Sequence, residues 1–251
     1  MRPQMRARRQ RGGSGPAGGS PLFSDGFESG DFSKEENGCG WASLANDASV
    51  TTDNPRSGSF ALHYPYTDAN SELKFNISGQ PTQIWLEWWV YIPAAYATSW
   101  PTGNANHKFL RLWGGPNGYS SVNKVGFSTY PSGTLRCDRG LPGIGGHGPG
   151  TGGGLYTASP TVTYVYTPDT YTRFRCYAKM SSAAGVNDAR MVLWSGETKI
   201  FDWSDLNQDF DTAGQYFDNG YFLGARSPAW SSAVAQDIDD VAFYASDPGW
   251  L

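Results

Sequence analysis

The sequence predicts an all-β protein, a two-sheet antiparallel β-sandwich of jelly-roll type, and three observations carry that prediction. Short runs with strand-like alternation recur along the chain, turn residues separate them, and no stretch keeps a helical period for three turns. Aromatic residues make up 15% of the chain against only 17% charged, with 32 glycines, a composition suited to short strands, tight turns and sugar-stacking surfaces. At 251 residues one domain can bury a sizeable core without disulfides.

The runs are "LFSDGFE", "ASVTT", "SFALHYPY", "SELKFNI", "QIWLEWWVYI", "HKFLRLW", "KVGFSTY", "TVTYVYT", "YTRFRCYAKM", "ARMVLW", "TKIFDW", "GYFLG" and "DIDDVAFY". Between them, "DNPRSGS", "YPSG", "SGE" and "FDNG" supply the turn chemistry of hairpins and crossovers. Gly140 to Gly154 hold nine glycines in fifteen residues and read as a long loop; with no GK[ST] ending and no following helix, it is not a phosphate cradle.

Residues 1–21 contain almost nothing that could offset the entropy of ordering, so they read as a disordered arm ahead of a domain spanning 22–251. Arg2, Arg6, Arg8, Arg9 and Arg11 are the only ionisable side chains of the first 20 residues, while the whole chain carries −4, so the arm is basic and the body acidic. Such an arm can neutralise phosphates on nucleic acid or a membrane surface, or is simply a flexible leader; nucleic acid is not expected as a partner except through it. No apolar run follows the arginines, which leaves neither a secretory signal nor a membrane-spanning helix in view. Cys39, Cys137 and Cys176 are an odd set without CxxC spacing, which argues against zinc. A Cys137–Cys176 bridge needs neighbouring strands, and buried reduced thiols are the simpler expectation.

Side chains alternate across a strand, so parity gives each run two faces. In "HKFLRLW", Leu110 and Leu112 fill the core if the alternation is regular; Lys108 then points inward, and His107, Phe109, Arg111 and Trp113 point outward, unless a bulge reverses the phase. In "IWLEWWVY" the outward set is Trp85, Glu87, Trp89 and Tyr91. In "VGFSTY" it is Gly126, Ser128 and Tyr130. In "YTRFRCYAKM" it is Tyr171, Arg173, Arg175, Tyr177 and Lys179, a basic and aromatic stripe that either binds carboxylates of a uronic-acid polymer or is a solvated face whose charges balance nearby acids.

Two resemblances sharpen this. "LFSDGFESGDFSKEENGCGW", "SGSFALHY" and the closing "DIDDVAFY" resemble carbohydrate-binding β-sandwich modules and the wider concanavalin A-like jelly rolls. That resemblance implies a structural calcium held by Glu28 and Asp240, with Asp25 as a third ligand. The middle of the chain resembles jelly-roll polysaccharide lyases of the alginate and glucuronan lyase type: "HKFLRLWGG" is similar to their Lys-containing strand, "GFSTY" to their Phe-Ser-Thr strand, and Tyr164 and Tyr166 to their paired tyrosines. Tyr130 stands where some relatives have an arginine. Tyr171, Arg173 and Tyr177 approximate a second family pattern, Tyr-x-Lys-x-x-x-Tyr, which leaves the identity of a catalytic tyrosine open.

A β-eliminating lyase must neutralise the uronate carboxylate, remove the C5 proton and protonate the departing O4. Arg111 with His107, or Arg173 with Arg175, is expected to supply the positive field and a tyrosine of lowered pKa the proton transfer, with Lys108 as the rival base if parity breaks there. Trp85, Glu87, Trp89, Tyr91, Trp113, Tyr171, Arg173, Arg175 and Lys179 are the expected substrate-binding set. A glycosidase needs two facing carboxylates, and Glu87 has no partner at i+2 or i+4, so hydrolysis ranks below elimination. The expectation is thus a protein acting on an acidic polysaccharide in an extracellular or virion-associated setting. A non-catalytic glycan-binding or adhesion module and a virion-surface structural protein remain the alternatives.

Overall fold

The computed structural model describes residues 19–43, 48–65, 72–98, 106–114, 124–130, 134–140, 161–163, 166–183, 186, 188–206, 216–224, 226–227 and 234–251. The predicted arm, up to residue 18, the glycine-rich segment 141–160 and Tyr164 lie outside the described residues.

In chain order the strands are β1 (Phe23–Asp25), β2 (Glu35–Glu36), β3 (Cys39–Ser43), β4 (Ser49–Thr51), β5 (Ala61–Pro65), β6 (Leu73–Asn76) and β7 (Gln83–Ile92). A four-residue helix, α1 (Ala95–Thr98), leads to β8 (Asn106–Gly114), β9 (Lys124–Tyr130), β10 (Thr134–Gly140), β11 (Thr161–Thr163), β12 (Thr170–Lys179) and β13 (Ala189–Ser195). The chain closes with β14 (Thr198–Leu206), β15 (Phe217–Phe222), β16 (Arg226–Ser227) and β17 (Ala235–Tyr244). The first sheet has the order β14-β13-β12-β7-β17-β5-β4, with β1 added on β17. The second runs β11-β10-β9-β8-β15-β6-β3-β2, with β16 added on β8. All the pairings are antiparallel, and the strands of each sheet come from both halves of the chain, as in a jelly roll. Among the described residues no helix is long and apolar enough to cross a membrane.

The two sheets pack face to face through one aromatic-rich core. Trp88 of β7 lies 5.6 Å from Phe109 of β8 and 5.0 Å from Phe222 of β15, ring centre to ring centre. Phe174 of β12 meets Phe109 at 4.9 Å, and Phe127 of β9 meets Phe201 of β14 at 5.2 Å. These edge-on and tilted contacts interdigitate the inner faces. Each predicted run contains a strand. The sequence reading missed β10, "TLRCDRG", whose Leu135 and Cys137 are buried in the core, and the short β2, β3 and β16. All three cysteines are buried and free. Cys137 and Cys176 belong to different sheets, so the adjacency that a bridge within one sheet needs is absent.

The ends of the domain are tied by carboxylates. Asp25 accepts the Phe27 N–H at 2.7 Å, which holds Phe27 in the left-handed region (φ 61°), and accepts the Trp41 indole N–H at 2.7 Å. Across β5 and β17, His63 Nδ1 lies 2.7 Å from Asp237 Oδ1. The hydrogen bond to Asp237 is the main influence raising the His63 pKa, burial opposes it, and the charges of Asp237 and Asp53 add to the rise.

A group whose pKa is raised on folding contributes stability that is complete below its unfolded value, about 6.5, and fades as pH climbs through the folded one. The unfolding midpoint is therefore expected to fall as pH rises above about 6.5. His63→Gln should flatten that slope; an unchanged slope in the variant, read by thermal melts across pH, contradicts the linkage.

Candidate active site

The site is set by an irregularity in β8. Against β9, His107 pairs with Thr129 and Lys108 with Ser128, but the next pair is Leu110 with Phe127, so Phe109 is an extra residue. Phe109 and Leu110 are both fully buried in the core, two consecutive residues turned the same way. The bulge keeps its hydrogen bonds: Leu223 N–H donates to the Phe109 carbonyl (3.1 Å) and Gly224 N–H to the Lys108 carbonyl (2.7 Å). Beyond it Leu110 and Leu112 face the core and Arg111 and Trp113 face out, as predicted. Before it the phase is reversed.

That corrects three assignments: Phe109, expected to face out, lies in the core, and the two residues before it exchange faces. His107 points inward, wholly buried, with Nδ1 2.8 Å from the Tyr96 hydroxyl, which also lies 2.9 Å from the Thr129 hydroxyl. Lys108 points outward, opposite Ser128. The described outer face of the second sheet therefore gathers Lys108, Ser128 and Arg111. Arg111 Nη2 donates to Ser128 Oγ at 2.7 Å, and Nη1 to the carbonyls of Phe127 (2.9 Å) and Leu110 (3.1 Å). Its side chain crosses Gly126, where a Cβ would run into the Leu110 carbonyl, so the close approach of β8 and β9 demands glycine.

Tyr221 of β15 pairs with Arg111 in register, packs on Trp113 (5.0 Å between centroids) and is buried, as is Asn219 two residues earlier. The sequence analysis missed both, although in "GYFLG" the inward Phe222 places Tyr221 on the outer side. The side chain of Tyr130 lies outside the described residues.

The stripe on β12 has the predicted parity but lies elsewhere. Phe174, Cys176, Ala178 and Met180 are core residues, so Tyr171, Arg173, Arg175, Tyr177 and Lys179 project from the outer face of the first sheet, with the core between them and Arg111. Trp85, Glu87, Trp89 and Tyr91 share that face through the register of β7 with β12. The expected meeting of Tyr177 with Arg111 and Ser128 does not occur.

The cations of this stripe are paired with acids. Arg173 and Arg175 both bind Glu197, and Lys179 binds Asp188 at 3.3 Å. Its tyrosines are not activated either. Burial drives the Tyr171 phenol far up, and its hydroxyl donates to the Asn54 carbonyl at 2.6 Å. Burial raises Tyr177 too, against the pull of Arg190, and its hydroxyl donates to Gln83 at 3.2 Å. Glu87 is pushed up by burial, against Arg173, Arg175 and Arg56. Trp85 is packed into a second apolar cluster with Tyr177, Val192 and Trp194 under Trp250. Tyr166, also raised by burial, packs edge-on to Tyr96 at 6.1 Å.

The predicted calcium ligands do not form a cage. Both Asp25 oxygens already accept N–H donors, Glu28 accepts the backbone N–H groups of Ser59 and Phe60, and Asp240 pairs with Arg56 and accepts the Ser57 hydroxyl. Among the described residues no group of three or more His, Cys, Asp or Glu could hold a metal. Glu28 and Asp240 tie the 56–60 segment to the β1 and β17 regions of the domain, and Asp25 ties β1 to Trp41 of β3.

Two antiparallel sheets closed on one core define a jelly-roll β-sandwich of the concanavalin A-like type. Solved structures share it. An endo-β-1,4-glucuronan lyase from the fungus Trichoderma reesei superposes with a TM-score of 0.60 at 12% identity, over 92% of this chain and 100% of that one. The alginate lyase vAL-1 from a Chlorella virus gives 0.59 at 11%, over 84% and 94%. The cellulose-induced protein Cip1 gives 0.52 at 13%, over 89% and 97%. No family model and no curated protein sequence matches the chain.

Arg111→Met would leave the Leu110 and Phe127 carbonyls without these donors in a buried setting. The expected loss is about 3 kcal/mol of unfolding free energy, measured by denaturant titration. A loss below about 1 kcal/mol would show that the guanidinium does not hold β8 to β9.

Proposed function

We propose that the protein acts on a polysaccharide and cleaves an acidic, uronic-acid polymer by β-elimination on the outer face of the second sheet. The observation that carries this is Lys108 turned outward by the bulge, directly opposite a Ser128 that Arg111 fixes from below. Similarity of fold to glucuronan and alginate lyases supports the reaction class.

The roles follow from the geometry. Arg111, 3% exposed, is a fixed positive charge in a low-dielectric setting, which favours an approaching carboxylate and the negative charge that grows on it. Lys108, only part-buried on the same face, removes the C5 proton. The C–H electron pair becomes the C4=C5 double bond, the C4–O4 bond breaks, and O4 takes a proton, returned by the Lys108 ammonium. His107 serves from the interior, anchoring the strand beside Lys108 through Tyr96. A non-catalytic glycan-binding role is favoured by one feature, that three donor contacts of Arg111 are satisfied within the protein.

Incubation with polyuronates such as glucuronan and alginate should produce the ultraviolet absorbance of the unsaturated product. Lys108→Ala should lower the rate by about a thousandfold. Tyr177→Phe, on the opposite face, should leave it unchanged. No absorbance from any polyuronate, with polymer still bound, would replace elimination by the binding role.

A further inference from the structure

The outer side of the first sheet holds a separate cavity. β13 stops pairing with β12 at Ser195, opposite Phe174, where the Gly196–Glu197 turn reverses the chain into β14; β12 continues to Thr170 with β7 beside it. Gly196 N–H donates to the Arg173 carbonyl at 2.8 Å, so the backbone groups of Arg173 face the β13 side. In an antiparallel strand every second residue repeats that direction, so the N–H and C=O of Tyr171 point past the end of the turn into the notch.

The notch is a cavity of about 400 Å3, within the ~300–1,000 Å3 of small-ligand sites. Trp89, Tyr166 and Tyr171 wall it, and Thr167, Thr170 and Ser195 bring hydroxyls to its lining. The walls are held in place: the Arg56 guanidinium lies 3.7 Å from the centre of the Trp89 ring, and Asn54 accepts the Tyr171 hydroxyl. The two charged lining residues, Arg173 and Glu197, are ion-paired, and Glu197 also binds Arg175. Rigid aromatic surface, hydroxyls, an outward-facing peptide and paired charge suit a ring that is apolar on its faces and rich in hydroxyls at its edge.

We propose that this notch binds an uncharged saccharide, a short stretch of a neutral glycan, independently of any elimination on the other sheet. Among the described residues its only charged lining groups, Arg173 and Glu197, are paired with each other, which suits a ligand without charge of its own. Native gels containing a soluble neutral glucan or glucomannan test it. The wild-type protein should be retarded, and Trp89→Ala should weaken binding by about tenfold through loss of aromatic contact. Thr167→Trp fills the notch from an exposed position and should abolish retardation without disturbing the core.

Product absorbance from polyuronate, measured on the same variants, should stay at the wild-type level for Thr167→Trp, so the two readings fail separately. Absence of retardation in every neutral polymer, or retardation of both variants equal to the wild type, would overturn the proposal. Loss of polyuronate retardation in Thr167→Trp would overturn the uncharged assignment.

Discussion

The phase of β8 is the constraint on which the candidate active site depends. An uninterrupted strand would send Lys108 into the core or, shifted by one residue, send Leu110 and Leu112 out of it. The extra Phe109 resolves the conflict by burying two consecutive apolar side chains, Phe109 against Trp88 and Phe174 and Leu110 across from Phe127 and Phe222. The interior supplies the matching polar anchor: His107 and Thr129, paired across the two strands, both bond the Tyr96 hydroxyl. A buried three-membered network of this kind is favourable when its members find partners, and it fixes the register where the outward pair, Lys108 and Ser128, needs it.

Alternation read from the sequence placed Ile84, Leu86, Trp88 and Val90, Val125 and Phe127, and Phe174, Cys176, Ala178 and Met180 correctly, because each of those strands is regular and one of its faces is plainly apolar. It failed at "HKFL", where His107, Phe109 and Leu110 offer no one-residue signal of a bulge. Only the pairing partner shows that Phe109 has no opposite number. The grouping of residues into one groove failed for a different reason. Parity tells which side of its own sheet a residue takes, but not which of two sheets its strand joins. Tyr177 and Arg111 are both outward and still lie on opposite faces of the sandwich. Tyr221 and Asn219 escaped notice because "FDNGYF" reads first as a turn, and its Asn-Gly is in fact inside a strand.

The described polar contacts of the two outer faces differ. On the first sheet, cations and acids are interleaved: Arg56 with Asp240, Arg173 and Arg175 with Glu197, Lys179 with Asp188, Arg190 and Lys199 with Asp202. The last pair of cations holds the Asp202 carboxyl down to about 2. Exposed pairs of this kind add little stability each, but every cation named has a carboxylate beside it, which weakens its pull on a polyanion. On the second sheet the Arg111 guanidinium donates to the carbonyls of Leu110 and Phe127 and to the Ser128 hydroxyl, which hold it at the junction of β8 and β9.

This contrast decides how a basic, aromatic strand should be read. A stripe of arginine and tyrosine on β12 looks like a polyanion site only while its neighbours are unknown. Once β7, β13 and β14 are in register, Glu87, Glu197 and Asp188 come beside it, and burial leaves its phenols harder to ionise rather than easier. The number of cations in a strand is therefore a poor guide to a site for proton abstraction, because catalysis depends on charge placed where charge develops.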